Sequence, residues 1–327
     1  MTTLETYIRQ FAGLRRAPNT VFTEVSKKRA PHKPILLLAV IDLVARGVIT
    51  SPLIDVTGDL VELNELFNLY WRRIIPVTQI SSIAFPFSRL HNEPFWELVP
   101  QPGKKITAAT INNISSVSQL RAVAHGARMD EDLFHYLQQA GARNALREVL
   151  LSTSLSEGAR AALEEQAVIN AEAYSYSLEL VQKAHLPLVQ EILTEVGYRP
   201  AVRAQGFRRI VISTYEHRCA MCGVRIVTPE GHTVVDAAHI IPWSRNQNDD
   251  IRNGMALCKL CHWAFDEGMM GVSENFEIIT SRQIGITPNV PGFLLTLSGR
   301  AIIPPAVRDL WPAQRYLAEH RREWRLT

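Results

Sequence analysis

The chain has 327 residues, 46% of them hydrophobic and 20% charged, which excludes a disordered or fibrous polypeptide and gives enough material for about two domains with their own cores. Its formal net charge of +3 excludes a general polycation, so contact with phosphates has to come from local basic clusters such as Arg15-Arg16, Lys27-Lys28-Arg29, Arg72-Arg73, Lys104-Lys105, Arg208-Arg209 and Arg321-Arg322. The run from Ile35 to Val48 is apolar but short and is interrupted by Asp42 and Arg46, so it reads as a core helix and not a membrane span.

In chain order, Thr3–Arg15, Lys33–Arg46 and Leu60–Ile74 carry apolar residues at helical spacing. Phe95 to Val99 reads as a strand, closed by Pro100 and Gly103. Glu131–Gln139 and Ala142–Ser152 read as a helical pair broken at Gly141. Gly158 to about Val196 is rich in Ala, Glu and Leu and reads as a helical connector, with a break at His185-Leu-Pro187. Thr233 to Ile241 is β-branched and apolar, a strand that Pro242 ends. Asn246–Asp250 reads as a polar loop, and Asn253 to Gly268 as a loop leading into a helix.

All four cysteines lie in one segment, as Cys219–Cys222 and Cys258–Cys261 separated by 35 residues. Each C-x2-C turn lets two sulfurs converge on one ion, and two such turns complete a tetrahedron, so structural Zn²⁺ is expected. A closed four-sulfur site has no open position for a substrate, so this zinc holds the fold and does not react. Without a recognisable secretory pattern at the start, a disulfide framework is not expected, and the reducing cytoplasm is the expected location.

Interleaved with the cysteines stand Ala237-Ala-His-Ile-Ile-Pro-Trp243, Asn253-Gly-Met-Ala-Leu-Cys258 and His262-Trp-Ala-Phe-Asp-Glu-Gly268. Upstream are Phe207-Arg-Arg-Ile-Val211 and Tyr215-Glu-His-Arg-Cys-Ala-Met-Cys-Gly223. Over about residues 200–320 the chain resembles the HNH endonucleases, in a zinc-stapled form of the ββα-metal fold. The resemblance implies that His239 is the general base that takes a proton from water, and that His262 is the first ligand of a catalytic Mg²⁺ or Mn²⁺. Asn253 would fix the loop that carries the base or orient the His239 ring. Many HNH enzymes place a metal ligand just before the base, where this chain has Ala238. Asp236, on the same strand face as Ala238, is the substitute ligand, with Asp266 as the other candidate.

Residues 10–155 carry a second resemblance. Arg29-Ala-Pro-His-Lys-Pro-Ile-Leu-Leu-Leu38, Pro86-Phe-Ser-Arg-Leu-His-Asn92 and Phe95-Trp-Glu-Leu98 are similar to the N-terminal domain of McrA-like, modification-dependent (type IV) restriction enzymes. Members of that group with a sulfur-binding domain recognise phosphorothioate-modified DNA. A reader of backbone sulfur needs an apolar cup and cations for the neighbouring phosphates, and His32, Lys33 and Arg89 are the candidate DNA contacts.

These readings combine into an α+β protein. Residues 1–155 form a mixed α/β DNA-reading domain, 156–198 a helical connector and 199–327 the HNH domain. The expected activity is hydrolysis of phosphodiester bonds in modified double-stranded DNA, phosphorothioate being the first choice of mark. Methylated or hypermodified bases, no modification at all, and a non-catalytic zinc-stabilised DNA-binding module are the alternatives. No membrane partner is expected. A homodimer is compatible with the chemistry, because one HNH site cuts one strand.

Overall fold

A computed structural model describes residues 2–18, 21–56, 60–76, 78–187, 198–228, 231–282, 284 and 292–326. The chain divides into two compact units, one of residues 1–167 with 228–232, the other of residues 168–227 with 233–327. The mixture of helices with small antiparallel sheets is α+β. Among the described residues no helix is long and apolar enough to cross a membrane.

The first unit begins with α1, Leu4–Ala12, capped by the Thr3 hydroxyl accepting from the Thr6 amide. Next comes α2, His32–Ala45, whose apolar residues are buried all round, so it forms the centre of this core. Its first turn contains Pro34, whose missing N–H costs nothing there. Strand β1, Leu53–Asp55, precedes α3, Leu60–Ile74, which packs against α2. Then follow α4, Ala84–Arg89, β2, Trp96–Pro100, and β3, Ala124–Met129. The sheet is antiparallel in the order β1-β3-β2, with Leu98 opposite Ala127. The Asp130 side chain caps α5, Glu131–Gln138, and α6, Ala140–Ser154, packs against α1 and α2.

The helix break expected at Gly141 lies at Gln139, which is extended, and Gly141 sits within α6. The long helix α7 is Glu157–Ala184. The expected continuation of the connector over 188–196 lies outside the described residues.

The second unit contains α8, Pro200–Thr214, with proline in its first turn. Strand β4, Val235–His239, pairs antiparallel with β5, Gly254–Cys258, placing His239 opposite Gly254 and Val235 opposite Cys258. The segment before the helix is therefore a strand and not the loop its polar start suggested. Helix α9, Lys259–Asp266, leaves directly from β5. A hairpin of β6, Met270–Val272, and β7, Ile278–Thr280, comes next, and α10, Gln314–Trp324, packs on β6.

Two glycines let these elements approach. A Cβ on Gly254 would lie 2.8 Å from both Phe207 and Val211, so α8 rests directly on the β4–β5 pair. A Cβ on Gly206 would lie 2.8 Å from the Ala173 carbonyl and from the Tyr176 ring, which brings α8 equally close to the end of α7. These two contacts carry Arg203, Phe207 and Tyr176 to the end of β4.

Candidate active site and zinc cluster

The cysteine quartet is assembled as the spacing predicts. The four sulfurs all lie within 4.8 Å of one another, and the Sγ atoms of Cys222 and Cys258 are 3.7 Å apart. A tetrahedron with Zn–S bonds of about 2.3 Å has edges of about 3.8 Å, so the donor set and its size fit zinc. The four thiols are not in disulfides. Main-chain bonds tie the quartet to the sheet: the Ala220 amide donates to the Ala256 carbonyl of β5 at 2.7 Å. Cys258 ends β5 and Cys261 lies in α9, so an ion here would fix the angle between that strand and that helix. Replacing Cys258 with Ser, or treating the protein with a strong chelator, is expected to abolish the melting transition of the second unit, and the untreated protein should carry about one zinc per chain. A zinc-free protein with an unchanged melting profile would reject the cluster as a metal site.

His239 stands at the end of β4 with its ring stacked on Phe207, centroids 3.9 Å apart and planes 7° apart. Its side chain is 22% exposed, so water can reach it. Asn253 is fully buried. Its Oδ1 accepts from the Ile241 amide at 2.9 Å, and its Nδ2 donates to the carbonyls of Ile241 at 3.1 Å and Asn248 at 3.0 Å. These bonds hold the chain leaving β4 and do not touch the His239 ring.

The ring is held by a residue that sequence reasoning passed over. Asp249 Oδ1 lies 2.9 Å from His239 Nε2, while Oδ2 accepts from Arg203 at 2.6 Å and from the Tyr176 hydroxyl at 3.0 Å. The Asp249 side chain is only 2% exposed. Burial alone would raise its pKa, but the bonds from His239 and Arg203 outweigh this and hold the carboxyl below the usual carboxylate range. The Arg203 guanidinium in turn lies 4.0 Å from the centre of the Trp243 ring.

The polar loop expected at Asn246–Asp250 is thus largely interior. Asn248, Asp249 and Asp250 are buried, and Asp250 forms a two-point ion pair with Arg252. Polar side chains with Gly-free, aperiodic spacing read as solvent-facing. Here they bury because each finds a partner.

His262 and Asp266 are neighbours one turn apart on α9, Nε2 to Oδ2 3.4 Å. Asp236 and Ala238 share one face of β4, while His239 lies on the other by the strand alternation. Asp236 accepts from Arg208 at 2.6 Å. Among the described residues the cysteines form the only group of three or more potential metal ligands. The structure therefore does not unite His262, Asp236 and Asp266 in one cluster.

In the first unit the expected DNA contacts separate. Lys33 is buried and ion-paired with Glu93, so it does not offer its charge to a phosphate. This corrects its assignment as a DNA contact: α2 is apolar all round, and its lysine survives there only with a carboxylate beside it. His32 packs in an aromatic cluster, its ring centroid 4.6 Å from Trp71, 5.7 Å from Phe85 and 5.9 Å from Phe22. Arg89 donates to the carbonyls of Ile111 and Asn112 and lies 4.6 Å from the Phe85 ring centre. Phe85 is 41% exposed and Trp71 buried, so the cluster opens at Phe85.

Burial pushes the His32 pKa down from 6.5 to about 4, so the ring is neutral at neutral pH and acts as an apolar aromatic. The unfolded chain binds a proton at this residue between pH 6.5 and 4, where the folded chain does not. The stability that His32 contributes is therefore present above pH 6.5 and lost as pH falls towards 4. Urea unfolding across that range should show a steeper loss in the wild type than in His32→Phe; equal slopes would contradict the buried neutral ring.

Residues 219–273 match a family model described as HNH endonuclease. None of the curated proteins matches the chain. A solved structure described as a modification-dependent TagI restriction endonuclease aligns at 21% identity with a TM-score of 0.27, over 36% of this chain and 36% of that one. The alignment thus spans little more than a third of that protein's length. Over the matched residues, which take in both C-x2-C turns together with His239, Asn253 and His262, the chain is similar to the HNH endonucleases.

Proposed function

We propose that the protein hydrolyses phosphodiester bonds of double-stranded DNA and restricts modified foreign DNA, phosphorothioate being the mark. The observation that carries the nuclease reading is the constellation at the end of β4, within the HNH match. There a water-accessible His239 is clamped by a stacked Phe207 and a buried carboxylate, on a chain segment locked by Asn253. His239 is the general base, because the lone pair of an unprotonated imidazole nitrogen can take a proton from water.

His262, with Asp266 beside it, is the proposed holder of Mg²⁺ or Mn²⁺. Asp236, whose Oδ1 accepts from Arg208, is the further candidate. When bound, such a cation polarises the phosphate and stabilises the departing oxygen. The remaining work falls to the chain: Asn253 fixes the backbone at Ile241, and Phe207 fixes the plane of the His239 ring.

The aromatic cluster of Phe22, His32, Trp71 and Phe85 supports a reader of backbone sulfur in the first unit. A polarisable sulfur is poorly hydrated and gains from an apolar rim, while Arg89 beside Phe85 supplies a cation for the adjoining phosphates. The neutrality of His32 suits the cup and not a salt bridge. In this reading the enzyme works in the cytoplasm, where thiols stay available for zinc, and two copies act together to break both strands.

Plasmid prepared from a phosphorothioating host and the same plasmid from a host without that modification provide the test. Cutting of the modified plasmid alone, in Mg²⁺ or Mn²⁺, is expected. His239→Ala should abolish cutting and leave DNA binding essentially unchanged, since a general base acts on the attacking water and not on the phosphate contacts that supply affinity. Equal cutting of both plasmids would remove sulfur as the mark, and loss of binding in His239→Ala would remove His239 as the base.

A further inference from the structure

We propose that Asp249 is a positioning residue for the hydrolysis: it accepts the Nε2–H of His239 and so fixes the tautomer whose Nδ1 lone pair faces water. The inference rests on the nuclease reading and assigns which nitrogen of the base does the work.

The argument is one of donors and acceptors. Asp249 is shielded from solvent and already accepts from Arg203 and from the Tyr176 hydroxyl. Two donors on a buried carboxyl favour its ionised form, and an ionised carboxylate can only accept. The third contact, from Oδ1 to His239 Nε2 at 2.9 Å, then requires the hydrogen to be on Nε2. A neutral imidazole carries one hydrogen, so Nδ1 is left with its lone pair and is the atom that can take a proton from water. When Nδ1 accepts that proton the ring becomes a cation, and the adjacent carboxylate stabilises it without being protonated itself.

Among the described residues, Asp249 is the hydrogen-bond partner of the His239 ring. From α8, Phe207 covers one face of the ring and Arg203 faces the carboxylate. From α7, the Tyr176 hydroxyl faces the carboxylate, and from β5, Gly254 lies opposite His239 with no side chain. The loop between β4 and β5 brings two carboxylates, of which Asp249 meets His239 and Asp250 pairs with Arg252. Arg203 and Tyr176 set where Asp249 sits, and Asp249 sets how His239 turns.

The full-length protein with ¹⁵N-labelled histidine tests this. While its ring is neutral, His239 should appear as a single Nε2–H tautomer in the wild type and as a mixture in Asp249→Ala. On phosphorothioated plasmid with Mg²⁺, Asp249→Ala should lower kcat at least about tenfold with KM and zinc content unchanged. If Asp249→Ala does not fold, Asp249→Asn keeps the volume and carries the kinetic readout. Two results would overturn the proposal: a wild-type His239 that is protonated on Nδ1 or mixed, or Asp249 variants that cut at the wild-type rate while His239→Ala is inactive. A wild type that cuts no DNA would overturn the nuclease reading instead, and the tautomer spectrum would still decide whether Asp249 holds His239.

Discussion

Four sulfurs within 4.8 Å of one another join the turn at 219–222 to the junction of β5 and α9. The placement of α9, and with it His262, depends on that junction. A two-stranded ribbon with a short helix buries too little apolar surface to hold its own shape. Fixing Cys258 and Cys261 to one ion would set the exit of α9 from β5, and with it the distance from His262 to the strand pair. On the other side of the ribbon, α8 is laid against Gly254, and Phe207 reaches the ring of His239.

The second constraint is polar. Between β4 and β5 the chain buries Asn248, Asp249, Asp250, Arg252 and Asn253, a costly set unless its donors and acceptors are matched. Asn253 bonds Ile241 and Asn248, Asp250 bonds Arg252, and Asn248 reaches the Tyr316 hydroxyl of α10. Burial makes the set rigid, and rigidity is what a general base needs if its ring is to point one way. The lining of the site is therefore a hydrogen-bonded network, with Phe207 stacked on the ring itself.

Much of this was legible from residue order. The paired C-x2-C turns announced the quartet because sulfur spacing is local chemistry, and α3 was placed at Leu60–Ile74 because its apolar stripe follows the helical period. Asp249 was not legible. It lies in an aperiodic run of amides and acids, and its partners Tyr176 and Arg203 stand 73 and 46 residues away in sequence. A carboxylate so close in sequence to both the base strand and Asn253 was the available signal. Lys33 failed for the opposite reason: a basic residue beside prolines looks like a phosphate contact, whereas Glu93, which neutralises it, is 60 residues away. Pairings across such distances are decided by the fold and not by local pattern.

The dependence of the site on the cysteine quartet can be measured directly by X-ray absorption at the zinc edge of the purified full-length protein. Four sulfur scatterers at about 2.3 Å are expected, with no nitrogen or oxygen in the first shell. A shell that includes nitrogen or oxygen, or a protein that folds and cuts DNA with no zinc signal, would contradict the account.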